Sequence, residues 1–215
     1  MSVARRAPSA SVLAQAAIGG IVLYVAIDVA LVFLRPEFSV LHNAESDYGS
    51  KGPYAWVMDL NFLLRCFLSI AVVLGLAHVN RHGSRLRIGL ALLAVWAIMS
   101  GLLAFFPDDP VGTVTHGAAK VHLALAGIAF VAVAIGTRVT TRALRREPQW
   151  RPVLVPLAVL SYGAFIPVLL LARVHLRPHS LGGLFEKLFL AIELAWFLVA
   201  AVWIASLERS RSRTS

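Results

Sequence analysis

The chain has 215 residues, of which 59% are hydrophobic and 14% are charged, and its mean hydropathy is +0.77. Soluble domains carry about 25% charged residues, so this composition excludes an ordinary soluble protein. The formal net charge is +9, but the basic residues stand between apolar runs, which favours membrane topology over nucleic-acid binding.

Six apolar runs approach or exceed the roughly 20 residues that a helix needs to cross a bilayer. They cover residues 11–34, 54–79, 86–106, 116–137, 153–172 and 184–207. Lipid offers no partner to free backbone groups, so these runs must be helices. The sequence therefore predicts an all-α polytopic membrane protein, a six-helix transmembrane bundle over residues 11–207 with tails at 1–10 and 208–215. The first run is too long for the apolar core of a signal peptide, so we expect a retained helix.

The fifth run contains two internal prolines, Pro156 and Pro167. Proline removes a backbone hydrogen bond and clashes with the preceding turn, so both positions are predicted to kink the helix.

The distribution of Lys and Arg predicts the orientation. Thirteen of the 20 basic residues fall on the side that holds both tails and the second and fourth connections, and six fall on the other side. By the positive-inside rule both termini are cytoplasmic, and the protein is a multi-pass protein of the inner (plasma) membrane. The segment 45–56 then faces outward.

Polar residues run on from this outward segment into the second helix. The stretch 45–65 starts as a loop rich in turn residues and then carries Asp59, Asn61 and Arg65 into apolar chain. At 1.5 Å per residue, Arg65 comes to lie roughly 14 Å below the outer edge and Glu193 about 15 Å. An unpaired charge at that depth is costly, so we predict that Arg65 and Glu193 pair.

Most other ionisable groups inside the spans also belong to the outer halves of their helices, which predicts a polar pocket that opens outward. The residues predicted to bind a ligand there are Ser46, Asp47, Asp59, Asn61, Arg65, Lys120, His122, Glu186, Lys187 and Glu193. Asp59, Glu186 and His122 are the candidates for catalysis. The alternative is a structural ion-pair network that fixes helix register.

A metal site is a weaker hypothesis. His116, His122, His175 and His179 fall on the outer side, and zinc accepts histidine and carboxylate ligands. Their spacing matches no metal motif, and the single cysteine, Cys66, excludes a multi-cysteine site. The sequence requires no cofactor.

Four motifs follow one another in the order of a known family. They are Glu45-Ser46-Asp47-Tyr48-Gly49 before the second helix, Phe106-Pro107-Asp108-Asp109 after the third, Lys120-Val121-His122 in the fourth, and Gly183-Leu184-Phe185-Glu186-Lys187 at the sixth. Through them the chain resembles the bacterial and archaeal integral membrane proteins of domain-of-unknown-function family 998. Arg65 and His116 depart from the family pattern. The resemblance implies the fold and the choice of site and names no chemistry.

The leading functional hypothesis is a membrane protein whose pocket binds a lipid-like or amphipathic ligand. Arg65, Lys120 and Lys187 would meet an anionic head group, and the partner is the bilayer rather than nucleic acid. Three alternatives stay open. The first is a metal-dependent intramembrane lipid hydrolase with Asp59 or Glu186 as base, the second a proton-coupled transporter that uses Asp28, Asp59 and Glu193, and the third a structural or assembly protein.

Overall fold

The computed structural model describes residues 9–80, 83–109, 113–115, 117–174 and 179–212, and all regular structure within these residues is helical. The α-helices are α1 Ala10–Leu34, α2 Ala55–Val79, α3 Ser84–Leu103, α4 Gly117–Leu144, α5 Leu154–Gly163, α6 Phe165–Val174 and α7 Gly182–Ser212. Two short 3-10 helices, Ser46–Gly49 and Pro148–Val153, precede α2 and α5.

The described chain contains six segments that are long and apolar enough to cross a membrane, which confirms the predicted all-helical class and the number of spans. Five of them are single helices. The remaining segment, Pro148–Val174, joins a 3-10 helix, α5 and α6. The architecture is that of a multi-pass membrane protein.

The interruption between α5 and α6 has its cause in Pro167. A proline at this position cannot donate to the carbonyl of Gly163 and its ring clashes with that carbonyl, and α5 ends at Gly163. Pro156 was also predicted to kink the helix, and that prediction is wrong. Pro156 lies in the first turn of α5, where backbone N–H groups make no hydrogen bond within the helix, so a proline there removes none.

The helices pack most closely where small residues allow it. Gly89 of α3 lies against Thr140 of α4, and Gly136 of α4 lies against Leu93. The helix α4 continues seven residues beyond the apolar run that ends at 137. Its last turns include residues that are buried against neighbouring helices, so they do not need to be apolar enough for lipid. On α7, Trp196 donates a hydrogen bond of 2.9 Å to Thr141.

The segment 35–54 folds back over one end of the bundle, which we call the loop end. The guanidinium of Arg35 donates to the carbonyls of Tyr48 and Ser50, at 2.9 and 3.1 Å. The segment also docks on α7, since the Leu184 amide donates to the Leu41 carbonyl at 3.0 Å. The opposite end, where α3 begins and α4 ends, carries Arg85, Arg142, Arg145 and Arg146, and we call it the basic end.

Candidate functional site

Arg65 lies inside the bundle below the loop end and takes its partner from the loop. Its Nη1 is 3.4 Å from Glu45 Oε2 and 3.1 Å from the Tyr24 hydroxyl. The Tyr24 hydroxyl donates in turn to Glu45 Oε1. All three side chains are buried, so the charge of Arg65 is balanced within the protein and not by solvent.

Aromatic rings complete the surroundings of Arg65. Its guanidinium carbon lies 4.9 Å from the ring centre of Trp96 and 5.1 Å from that of Phe62. Such contacts stabilise a desolvated cation. Arg65 is thus bound on several sides, and its role is to hold the loop onto α1 and α2.

The predicted pairing of Arg65 with Glu193 is wrong. Glu193 is 1% exposed, and neither carboxylate oxygen accepts a hydrogen bond from the described residues. Its polar neighbour is Thr137 of α4, whose hydroxyl donates to the Val133 carbonyl at 2.9 Å. Glu193 therefore lies in the bundle interior as a carboxyl group with no ion pair to a described residue.

A crevice of about 440 Å³ opens beside α4 just below the loop end. Its walls come from α4, α6, the start of α7, the 3-10 helix within the loop and the α3–α4 connection. The lining residues are Ser46, Asp108, His122, Leu123, Ala126, Gly127, Phe130, Leu171, Ala172 and Glu186. The four polar members gather nearest the loop end, and apolar side chains line the rest.

His122 presents one ring nitrogen to this crevice. Its Nδ1 lies 2.6 Å from the Phe106 carbonyl oxygen, which can only accept, so Nδ1 carries the hydrogen. Nε2 is then left as an acceptor in the neutral ring. That atom is buried, has no hydrogen-bond partner among the described residues and lies 3.8 Å from Asp108 Oδ2.

Asp108 connects the loop to this histidine. The Ser46 hydroxyl donates to Asp108 Oδ2 at 2.6 Å. Ser46 thus closes the top of the crevice, while Glu186 of α7 forms another side of it and accepts the Glu45 amide at 3.3 Å. Carboxylate and imidazole acceptors from three parts of the chain therefore converge at one end of the crevice.

The other predicted ligand residues are placed differently. Asp59 of α2 interacts electrostatically with His122, and Asn61 is fully buried with neither amide atom hydrogen-bonded to the part of the chain that the structure describes. Asp47 accepts hydrogen bonds from Asn43 and the Ala44 amide within the loop. The remaining two are basic: Lys187 donates to the Asn43 carbonyl at 2.6 Å, and Lys120 is exposed.

Tyr48 lies under Lys187, whose ammonium nitrogen is 5.5 Å from the ring centre. Burial and the nearby carboxylates of Asp28, Asp47 and Glu37 raise the pKa of the Tyr48 hydroxyl to about 12. On the surface of the same loop, the hydrogen bond from Arg35 lowers the pKa of Glu37. The loop is thus organised around neutral Tyr48 and two basic side chains that bind carbonyls.

The described residues contain no group of three His, Cys, Asp or Glu side chains arranged to hold a metal ion. Among the described residues, His122 interacts electrostatically with Asp108 and Asp59. His179 stacks edge-on against His42 at 6.1 Å between ring centres, and His116 and His175 lie outside the described residues.

Sequence reasoning missed three kinds of site residue. Glu45 was treated only as part of a polar loop, although it is the buried partner of Arg65. Asp108 was read only as part of a motif that ends the third span. The apolar lining had no signal at all, because Gly127, Phe130 and Leu171 look like ordinary membrane-helix residues.

Residues 18–203 match the model of the family described as "Protein of unknown function (DUF998)". The match covers most of the chain, so the chain belongs to this family and the predicted resemblance is confirmed. No curated protein and no solved structure matches the chain.

Proposed function

We propose that this DUF998 member is a membrane protein that binds a lipid-like or amphipathic ligand in the crevice between α4 and α6. The observation that carries the proposal is the mixed lining of this crevice. Four polar side chains that lie near the loop end share a volume of about 440 Å³ with six apolar residues of α4 and α6. Ligand pockets typically combine apolar walls with a few convergent polar groups in this way.

The polar end of the crevice suits a head group that donates hydrogen bonds. His122 Nε2 and the carboxylates of Asp108 and Glu186 are all acceptors when the acids are ionised. Alcohols and amines supply matching donors. This choice replaces the anionic head group expected from the sequence, because Arg65 and Lys187 are already engaged by the protein.

A ligand could enter from the side, from within the bilayer. α4 packs along α5 but stands apart from α6, and Pro167 sets the direction in which α6 leaves α5. Leu123 and Leu171, on the two sides of the gap, would contact an alkyl chain. A lateral opening of this kind supports a ligand that partitions into lipid.

We place the loop end on the outer face of the inner (plasma) membrane, with both termini in the cytoplasm. The support is the clustering of arginines at the opposite end, as the positive-inside rule requires. In this orientation the crevice opens below the outer leaflet surface.

The experiment uses native mass spectrometry of detergent-purified protein with a straight-chain alcohol, an amine and a carboxylic acid of equal chain length. We expect bound alcohol and amine, and at least tenfold weaker binding of the acid, because its ionised head group would face the carboxylate of Asp108. The Gly127→Leu variant should lose the binding, since Gly127 lines the crevice and a Cβ added there meets no atom within 4 Å, which leaves room for the larger side chain to occupy ligand space.

Gly19→Leu is the matched control. Gly19 also lies within a long helix with no atom within 4 Å of an added Cβ, but it does not line the crevice. Its binding should equal that of the native chain. Equal loss in both variants, or preference for the acid, would overturn the proposal.

A further inference from the structure

Three arginines converge on a second cleft, at the basic end of the bundle. The cleft has a volume of about 340 Å³ and is lined by Arg85 at the start of α3, by Val139 and Arg142 on α4, and by Arg145 in the turn directly after α4. Residues four apart share a helix face, so Arg142 points to the same side as Arg138. The cleft is far along α4 from the ligand crevice, which lies near the opposite end of that helix.

The ion pairs of Arg35 with Glu37, Arg65 with Glu45 and His122 with Asp108 lie at the loop end, and none of them neutralises these three side chains. Three guanidinium groups around one small space repel one another. An anion held between them would remove that repulsion.

The arginine positions are fixed in part by α5. Arg142 Nε donates to the Tyr162 hydroxyl at 3.2 Å, and the Arg138 guanidinium carbon lies 4.9 Å from the Tyr162 ring centre. The terminal amino groups of Arg142 remain available for another partner. Guanidinium groups held in this way can bind a phosphate through two hydrogen bonds at once.

The N-terminus of α3 adds an electrostatic field that favours an anion. Its N-cap, Gly83, provides no side-chain hydrogen bond, so the first amides of the helix keep their donors, and Arg85 is the second helical residue. Helix N-termini attract anions. The cleft also lies at one end of the candidate membrane-spanning segments.

We propose that this cleft binds the phosphate diester of an anionic phospholipid, with Arg85, Arg142 and Arg145 as its ligands. Basic pockets between transmembrane helices are suited to such head groups. Val139 lines the cleft beside the arginines, and it would contact the first carbons of an acyl chain. This site is independent of the ligand crevice near His122.

The test titrates the detergent-purified protein with phosphatidylglycerol and, separately, with phosphatidylcholine, and counts bound lipid by native mass spectrometry. We expect phosphatidylglycerol to bind more tightly. Arg142→Gln and Arg145→Gln should each weaken it roughly tenfold, because each removes one charge-assisted contact to phosphate. Arg145 is exposed and contacts no described partner, so its variant should fold even if that of Arg142 does not.

Arg87→Gln is the matched control. Arg87 is exposed, lies two residues after Arg85 and therefore points to another face of α3, and it does not line the cleft. It removes the same charge from the same end and should change binding less than twofold. Gly127→Leu should also leave this lipid bound.

Three results would overturn the inference. One is equal binding of the two lipids, and another is an equal effect of Arg87→Gln and Arg145→Gln, which would indicate general surface charge. The last is displacement of the lipid by millimolar inorganic phosphate. That result would identify a site for free phosphate instead.

Discussion

Arg65 of α2 and Glu45 of the preceding loop form an ion pair inside the helix bundle, with Nη1 and Oε2 3.4 Å apart and both side chains 2% exposed. The pair holds the loop onto the helices from inside the bundle, at a position that a lipid-facing residue could not occupy. Since the same loop contributes Ser46 to the crevice, the ion pair also sets the position of the crevice's upper wall.

This pairing predicts strong coupling between the two residues. Removing one partner leaves a buried charge alone, so Arg65→Gln and Glu45→Gln should each destabilise the protein by about 3–5 kcal/mol. The double variant should cost far less than the sum, and a double-mutant cycle on thermal unfolding measures the difference. A cycle of Arg65→Gln with Glu193→Gln should show no coupling. Coupling in that second cycle instead of the first would contradict the observed pairing.

Glu193 should respond in the opposite way. Its carboxylate is buried and accepts no hydrogen bond from the described chain, so replacing it with an apolar residue removes an unmet desolvation cost. Glu193→Leu is expected to raise the free energy of unfolding by about 1–3 kcal/mol. A clear loss of stability in thermal unfolding would show that Glu193 has a partner after all.

Two glycine-to-alanine changes should shift stability in opposite directions. A Cβ at Gly89 would lie 2.9 Å from the Thr140 backbone nitrogen, which forces α3 and α4 apart. Gly89→Ala should therefore destabilise by about 1–3 kcal/mol. A Cβ at Gly127 meets nothing within 4 Å, so Gly127→Ala should stabilise by up to about 1 kcal/mol through helix propensity. Shifts of the same sign would contradict the α3–α4 contact.

The loop should lose stability in alkali through Tyr48. Its pKa is raised to about 12 in the folded protein, whereas an unperturbed tyrosine ionises near 10. The neutral hydroxyl is thus favoured by folding, and that contribution is present below about pH 10 and lost as pH rises toward about 12. Thermal unfolding of Tyr48→Phe should depend less on pH across this window than that of the native chain. Identical pH profiles would count against burial of the hydroxyl.

The helices could be predicted because apolar length alone determines them. The break before α6 could be predicted too, since Pro167 imposes it wherever it stands inside a helix. Pro156 shows the limit of that reasoning, because its effect depends on where the helix begins, and the 3-10 helix before α5 moves that start.

The partners of the buried charges could not be predicted. Depth along a helix matched Arg65 with Glu193, but depth says nothing about which way a helix faces. The depth argument also assumed that loops stay outside the bundle, whereas Glu45 folds back into it. The sequence predicts His122 and Glu186 as members of one site, yet the crevice that both of them line depends on the gap between α4 and α6, which no local pattern encodes.

The most direct test is photolabelling with a long-chain alcohol that carries a diazirine in its tail, followed by peptide mapping. The account predicts that adducts concentrate on the facing walls of α4 and α6, at residues such as Leu123 and Leu171, and disappear in Gly127→Leu. Phe33 and Val155, which are 78% and 72% exposed on other helices, should show only background labelling. Labelling that simply follows exposure, unchanged by Gly127→Leu, would contradict the proposed binding crevice.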